Sequence, residues 1–146
     1  YGPEMRGGTA HCFVVISDKP IGSPITRHPK VAVAFNLPSF TRYEPVVAAG
    51  GLLAVNASLV TQTSARTDIN VLNVPVTQIA DEVGDLRLAN VVMLGAVLTA
   101  YPALPLDAVK RALDNHLPEH RRKLLDLNYQ ALEKGAEFAR RMVQSA

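Results

Sequence analysis

Apolar positions follow two different patterns in the two halves of the chain. In the first half, short continuous apolar runs are separated by segments rich in Gly, Pro, Asn and Ser, a pattern typical of buried strands bounded by turns. The fourth run also alternates and ends at a proline, which favours a position nearer the edge of a sheet. These runs predict strands at residues 10–17, 31–36, 52–58 and 69–75.

A first helix is predicted after the second strand. It opens at Pro38 and Ser39, it is divided by Pro45, and the glycine pair Gly50 and Gly51 stops it. A second helix follows the fourth strand, over residues 76–84, with Thr77 as a possible N-cap and Gly84 as the C-terminal stop.

The second half of the chain changes to helical periodicity. Residues 86–102 are apolar almost all round, which indicates a helix buried between other elements, and Gly95 at its centre suggests a close contact with another helix. An amphipathic helix follows, and a last helix spans 118–143. The amphipathic helix carries apolar residues on one face: Leu106, Val109, Leu113 and Leu117.

Strands that alternate with helices imply a parallel sheet covered on both faces. The sequence therefore predicts an α/β fold, a Rossmann-like three-layer sandwich with a mostly parallel sheet and a helical C-terminal section. The 146 residues are expected to form a single domain.

Composition and charge exclude several classes of function. The net charge is +2, too small to indicate a nucleic-acid partner, and no apolar run is long enough to span a membrane. The single cysteine, Cys12, cannot support an internal disulfide or a cysteine-held iron–sulfur cluster, and it is expected to be a small buried hydrophobe. A cytoplasmic location is the natural inference from this cysteine usage.

No complete catalytic or phosphate-binding motif is present. Neither G-x-x-x-x-G-K-[ST] nor G-x-G-x-x-G occurs. His116 and His120 have helical ligand spacing, but Pro118 lies between them and no third ligand is obvious, so no metal site and no catalytic residue are assigned. The glycine pair after Arg6 has two interpretations: a concave anion-binding turn, or a tight turn that leads into the strand.

Two asparagines are candidates for the site. Asn56 ends an apolar strand, where ligands bind in open parallel sheets, and Asn90 lies in an otherwise apolar helix, where a buried amide needs a partner. Either side chain could serve the fold or a ligand.

Several stretches match one known family in the same order along the chain. "YGPEMRGGTAHC", "VVISDKPIGSP", "LPSF", "GGLLAVNASLV" and "VPVTQIADEVGDLRLANVVMLGAVL" resemble the gamma subunit of the 2-oxoacid:ferredoxin oxidoreductases, also described as the pyruvate/ketoisovalerate oxidoreductase gamma domain. The form "PEMRGGTA" is similar to the 2-oxoglutarate and 2-oxoisovalerate members. The family usually has asparagine where this chain has His11, and its members normally begin with a βαβ portion that does not precede Tyr1 here, so an N-terminal segment is expected to be missing.

The resemblance implies a non-autonomous subunit of an oxidoreductase. The complex would decarboxylate a 2-oxoacid oxidatively to its acyl-CoA and pass electrons to ferredoxin, with 2-oxoglutarate as first choice and 2-oxoisovalerate or pyruvate as alternatives. Thiamine diphosphate and the iron–sulfur clusters would lie on the alpha, beta and ferredoxin-like partner subunits, and this chain alone would bind no cofactor. Residues expected at the coenzyme A region or at a subunit interface are Glu4, Arg6, Gly7, Gly8, Thr9, Asn56 and Asn90.

Two other classes of function stay open at this point. One is a stand-alone module that binds a nucleotide or coenzyme A through the turn after Arg6. The other is a purely structural interaction protein. In isolation the chain could also form a homodimer.

Overall fold

The centre of the fold is a parallel sheet of three strands. The computed structural model describes residues 10–23, 25–116, 122 and 124–144. Strands β1 (Val31–Ala34), β2 (Leu52–Asn56) and β3 (Asn70–Val74) lie in the order β1-β2-β3, and every neighbouring pair is parallel. Val31 pairs with Leu52, and Leu52 with Asn70. The α/β class predicted from the alternating pattern is confirmed.

Helices follow β1 and β3 and fill the second half of the chain, whereas β2 leads to β3 through a connection without a helix. Their bounds are α1 Leu37–Tyr43, α2 Val76–Val83, α3 Ala89–Ala100, α4 Leu106–His116 and α5 Leu125–Gln144, with 3₁₀ turns at Glu44–Val46 and Leu86–Leu88.

Local chemistry explains where the first helices begin and end. Asn36 caps α1, because its side-chain oxygen accepts a hydrogen bond from the Ser39 N–H at 2.9 Å. Pro45 divides this helix as predicted: α1 ends at Tyr43 and a 3₁₀ turn follows. Gly84 ends α2 in the left-handed region at φ 103°, which is also as predicted.

The sheet separates two apolar layers. On one face, Leu52, Ala54, Leu72 and Val74 pack with buried residues of α2, α3 and α5. On the other face, Leu53 and Val55 pack with Phe40 of α1 and with residues that flank the strands, among them Val60 and Ile69. Every residue of β2 is buried, as expected of the central strand.

Helices α3 and α5 cross with their backbones almost in contact. A Cβ added to Gly95 would lie 2.0 Å from the carbonyl oxygen of Leu132, and one added to Gly135 would lie 1.9 Å from that of Val92. The close helix contact predicted at Gly95 is therefore confirmed, and its partner is a second glycine on α5.

Two strand predictions need correction. Residues 10–17 do not form a strand, and none of the backbone–backbone hydrogen bonds of the described residues involves them. Cys12 is exposed rather than buried, and Val14 and Ile16 are 78% and 61% exposed. A β-branched sequence favours an extended backbone, but a strand also needs a ladder partner. Strand β1 is not buried on both faces, because Val33 is 37% exposed.

Candidate functional site

The predicted site residues at the start of the chain cannot be placed. Glu4, Arg6, Gly7, Gly8 and Thr9 lie outside the described residues. Their assignment to a coenzyme A region or an interface therefore stays a prediction. The same holds for His120 and Leu117.

Asn56 lies at the carboxyl end of the central strand, as predicted. Its side chain is almost completely buried, at 1% exposure. The amide nitrogen donates to the Thr77 hydroxyl at 3.0 Å, and the amide oxygen accepts from the Ser58 N–H at 3.1 Å. The Asn56 side chain thus joins the end of β2 to the first turn of α2 and closes the turn that follows the strand.

A second hydrogen bond strengthens this connection. The Gln78 N–H at the start of α2 donates to the Ser58 hydroxyl at 3.4 Å. Asn56, Ser58, Thr77 and Gln78 together form what we call the carboxyl-edge cluster. Thr77 was predicted as a possible N-cap of α2, and this is wrong: Pro75 occupies the N-cap position, and the Thr77 hydroxyl accepts from Asn56 instead.

The carboxyl-edge cluster is neutral. Amides and hydroxyls can donate and accept hydrogen bonds, but none of them has a pKa suited to general acid–base catalysis near neutral pH. Leu59 follows the cluster on the same turn and is 62% exposed. This arrangement is suited to positioning backbone at the edge of the sheet where ligands of parallel α/β folds bind.

Asn90 is not part of the cluster. It is exposed on the first turn of α3, and its side-chain oxygen accepts from the Val91 N–H at 2.9 Å. The hydrogen bonds of the carboxyl-edge cluster do not reach it. The helix is apolar as predicted, but Asn90 lies at its solvent-facing start, so its amide does not need a buried partner.

Sequence reasoning missed a group of hydrogen bonds on the long connection between β2 and β3. We call this group, formed by Ser64, Arg66 and Asp68 with Glu44 and Val47, the polar hub. The Arg66 guanidinium donates through Nη1 to the carbonyl oxygens of Glu44 and Val47, both at 2.9 Å. Its Nε and Nη2 bind the Asp68 carboxylate at 2.8 and 2.6 Å. These bonds lower the pKa of Asp68, chiefly through the hydrogen bond from Arg66.

The same hub includes a second contact between the connection and the 3₁₀ turn. The Ser64 hydroxyl donates to the Glu44 carboxylate at 2.5 Å. The polar spacing of Ser64, Arg66 and Asp68 is visible in the sequence, but the partner at Glu44 is twenty residues away from Ser64 and gives no local signal. The hub fixes a connection that has no helix of its own.

Of the acidic residues near the end of α2, Asp85 has a structural role, because it binds Arg87 two residues further along the chain. Asp85 accepts from the Arg87 N–H at 2.9 Å and binds the Arg87 guanidinium at 2.7 Å, which lowers the pKa of this carboxyl.

Among the described residues, no group of three or more His, Cys, Asp and Glu side chains could hold a metal ion. None of the helices in the described part of the chain is long and apolar enough to cross a membrane.

The fold and the cluster define a class: a parallel α/β sandwich whose carboxyl edge carries neutral polar side chains. The family model described as pyruvate ferredoxin/flavodoxin oxidoreductase matches residues 1–138. The chain belongs to this family.

Curated relatives match along nearly the whole chain. The chain is 36% identical over 145 residues to the ketoisovalerate oxidoreductase subunit VorA of Methanothermobacter thermautotrophicus. This alignment covers 99% of the chain and 30% of VorA. It is 32% identical over 144 residues to the 2-oxoglutarate synthase subunit KorC of Methanocaldococcus jannaschii, covering 97% of this chain and 75% of KorC. The chain therefore spans less than a third of the VorA length.

Solved structures share the fold. The gamma subunit of a keto/oxoacid ferredoxin oxidoreductase from Geobacter sulfurreducens aligns with a TM-score of 0.68 at 25% identity, over 75% of this chain and 63% of that one. The 2-oxoglutarate:ferredoxin oxidoreductase of Magnetococcus marinus, with 2-oxoglutarate, coenzyme A and succinyl-CoA bound, aligns with a TM-score of 0.68 over 77% of this chain and 20% of that chain. At 20% identity, the second likeness concerns the fold alone.

Proposed function

We propose that this chain is the gamma component of a 2-oxoacid:ferredoxin oxidoreductase. The observation that carries the proposal is the match to the family over residues 1–138, together with relatives named as subunits of ketoisovalerate and 2-oxoglutarate oxidoreductases. In the proposed reaction a 2-oxoacid loses its carboxylate as CO₂ and its acyl group forms a thioester with coenzyme A. The electron pair released in this oxidation passes to ferredoxin.

The residues of this chain support a positioning role in that reaction. Its single cysteine does not fit an iron–sulfur cluster, which needs several thiolate ligands, so the clusters and thiamine diphosphate belong to alpha, beta and ferredoxin-like partner subunits in this proposal. The carboxyl-edge cluster orders the turn after β2 and the start of α2. Glu4 and Arg6 would present charges to a partner subunit or to coenzyme A, on a backbone shaped by Gly7 and Gly8. The complex would work in the cytoplasm.

We propose 2-oxoglutarate as the preferred substrate. The relatives named as 2-oxoglutarate synthase subunits include KorC of Methanocaldococcus jannaschii, which matches 97% of this chain at 32% identity. A branched-chain 2-oxoacid is the second candidate, because the ketoisovalerate subunit has the higher identity, 36%.

The test is reconstitution of this chain with the alpha, beta and ferredoxin-like subunits of a 2-oxoacid:ferredoxin oxidoreductase. Reduction of a viologen acceptor is measured with coenzyme A and either 2-oxoglutarate, 2-oxoisovalerate or pyruvate, and the kcat/KM values are compared. We expect turnover only in the assembled complex, with the highest kcat/KM for 2-oxoglutarate. Turnover by the purified chain alone would overturn the subunit proposal, and a higher kcat/KM for 2-oxoisovalerate would overturn the substrate assignment.

The role of Arg6 is tested in the same complex. Arg6→Ala should raise the KM for coenzyme A with little change in the amount of complex recovered. Arg6→Lys keeps the charge, so its KM for coenzyme A should lie between the value of Arg6→Ala and that of the natural protein. Loss of assembly with an unchanged KM for coenzyme A would instead indicate a purely structural contact. Calorimetry of the isolated chain with coenzyme A checks the alternative of a stand-alone module, for which micromolar binding is expected.

A further inference from the structure

Helix α4 differs from the other long helices in how it is attached. Its eleven residues are all described, and none of them is buried. Helices α3 and α5, by contrast, each bury a continuous set of residues against the sheet and against each other. Helices usually gain most of their stability from such packing, so α4 lacks the main stabilising contribution.

Polar contacts hold α4 against α5. The Lys110 ammonium binds the Glu133 carboxylate at 2.5 Å, and the two side chains are 31% and 38% exposed. The Tyr129 hydroxyl donates to the Asp114 carboxylate at 2.8 Å and also lies 3.4 Å from the Lys110 carbonyl oxygen. The bond to Asp114 is the main reason why the pKa of Tyr129 is raised. We call the Lys110–Glu133 ion pair and the Tyr129–Asp114 hydrogen bond the two polar attachments of α4.

The apolar side of α4 is only half-buried: Val109 and Leu113 are partly exposed, and Ala112 and His116 are exposed. Val109, Ala112, Leu113 and His116 line a cavity of about 250 Å³ on this side. The chain enters α4 through Pro102 and Pro105, which have no N–H to donate. Exposed ion pairs and single hydrogen bonds stabilise only weakly, so separating α4 from α5 breaks few favourable interactions.

We propose that α4 opens away from α5 as one unit while the sheet, α3 and α5 stay folded, and that the two polar attachments set the fraction of molecules in the open form. The opening uncovers the surface of α5 around Tyr129 and Glu133 and leaves the apolar side of α4 free on all sides. This inference does not depend on the proposed function, because it concerns only the contacts within this chain.

Amide hydrogen exchange of the purified protein tests the proposal. The amides of α4 should exchange at least about a hundredfold faster than the buried amides of α3 around Met93 and Ala96, because they open without global unfolding. Tyr129→Phe removes one attachment and should speed exchange in α4 by about three- to tenfold, with α3 unchanged. Glu133→Gln, on the exposed part of α5, should speed it by about two- to threefold.

Arg87→Gln serves as the control, because it removes the ion pair between the exposed Arg87 and the half-buried Asp85, which lies outside the α4–α5 contact. It should leave exchange in α4 unchanged. The proposal would be overturned if α4 and α3 exchanged at the same rate in the natural protein. It would also be overturned if Glu133→Gln, which keeps the size of the side chain, accelerated α3 and α4 by the same factor.

Discussion

At the scale of single residues, Asn56 is the candidate site residue whose role is defined most clearly by its hydrogen bonds. A buried amide at the end of a central strand must form hydrogen bonds, and Asn56 does so with Thr77 and Ser58. These two hydrogen bonds occupy donor and acceptor positions of the amide that a ligand could otherwise use. The side chain therefore acts on the edge of the sheet through the turn and the helix that it positions.

Replacing Asn56 by alanine should destabilise the fold. Asn56→Ala removes the hydrogen bonds to Ser58 and Thr77, each of which contributes about 0.5–1.5 kcal/mol, so the free energy of unfolding should fall by about 1–3 kcal/mol. Urea denaturation followed by circular dichroism measures this change. Asn73→Ala, an exposed asparagine on β3, is the control and should change the free energy by no more than about 0.5 kcal/mol. Equal effects of the two substitutions would contradict the role assigned to Asn56.

The position of Asn56 was predictable from the sequence, but its partners were not. An asparagine after a continuous apolar run marks the carboxyl end of a buried strand. The hydrogen bond to Thr77 joins residues 21 positions apart, and it diverts the threonine hydroxyl from the capping role that its place in the sequence suggested. Arg66 was missed for the same reason, because its carbonyl partners lie 19 and 22 residues away.

At the scale of elements, the crossing of α3 and α5 is the tightest contact between helices. Glycine within a helix normally costs stability relative to alanine by roughly 0.5–1 kcal/mol. Gly95 and Gly135 are the opposite case, because an added Cβ would lie 2.0 and 1.9 Å from a carbonyl oxygen of the facing helix. Their small size is what allows the two backbones to approach.

Gly95→Ala and Gly135→Ala should each destabilise the protein. A methyl group at either position pushes the helices apart, and overpacking of this kind costs about 1–3 kcal/mol or more. Thermal and urea denaturation measure the loss. Gly22→Ala, where an added Cβ meets nothing within 4 Å, is the control and should be close to neutral. An increase in stability for Gly95→Ala would show that helix propensity outweighs the contact.

Elements with a local signal were predicted well, and the one that depends on distant pairing was not. Continuous apolar runs located β1 and β2, an alternating run located β3, and helical periodicity located α2 to α5 to within a few residues at most ends. Residues 10–17 have the composition of a strand, but the structure shows no strand there. Composition sets which backbone conformation is favoured, whereas a strand exists only where another strand pairs with it.

At the scale of the whole molecule, the distribution of apolar surface is uneven. The sheet is covered around β2 and less so at its edges, where Val33 and Val71 are each 37% exposed. The largest departure from the usual pattern is the uncharged run Cys12–Ile16, in which Val14 is 78% and Ile16 61% exposed. Its high β-propensity, lack of charge and lack of proline are the features of segments that pair between molecules.

This exposed run should dominate the solution behaviour of the purified protein. The double substitution Val14→Lys and Ile16→Lys places two charges in the segment and should slow aggregation on mild heating several-fold, because charge opposes pairing between copies. Light scattering at fixed temperature measures the rate. The free energy of unfolding should change by no more than about 0.5 kcal/mol, since neither side chain packs in the core. Leu59→Lys, at a matched exposure of 62%, adds a charge outside this segment and should slow aggregation much less. If Leu59→Lys slowed it as strongly, net charge rather than the segment would control the association of the molecule.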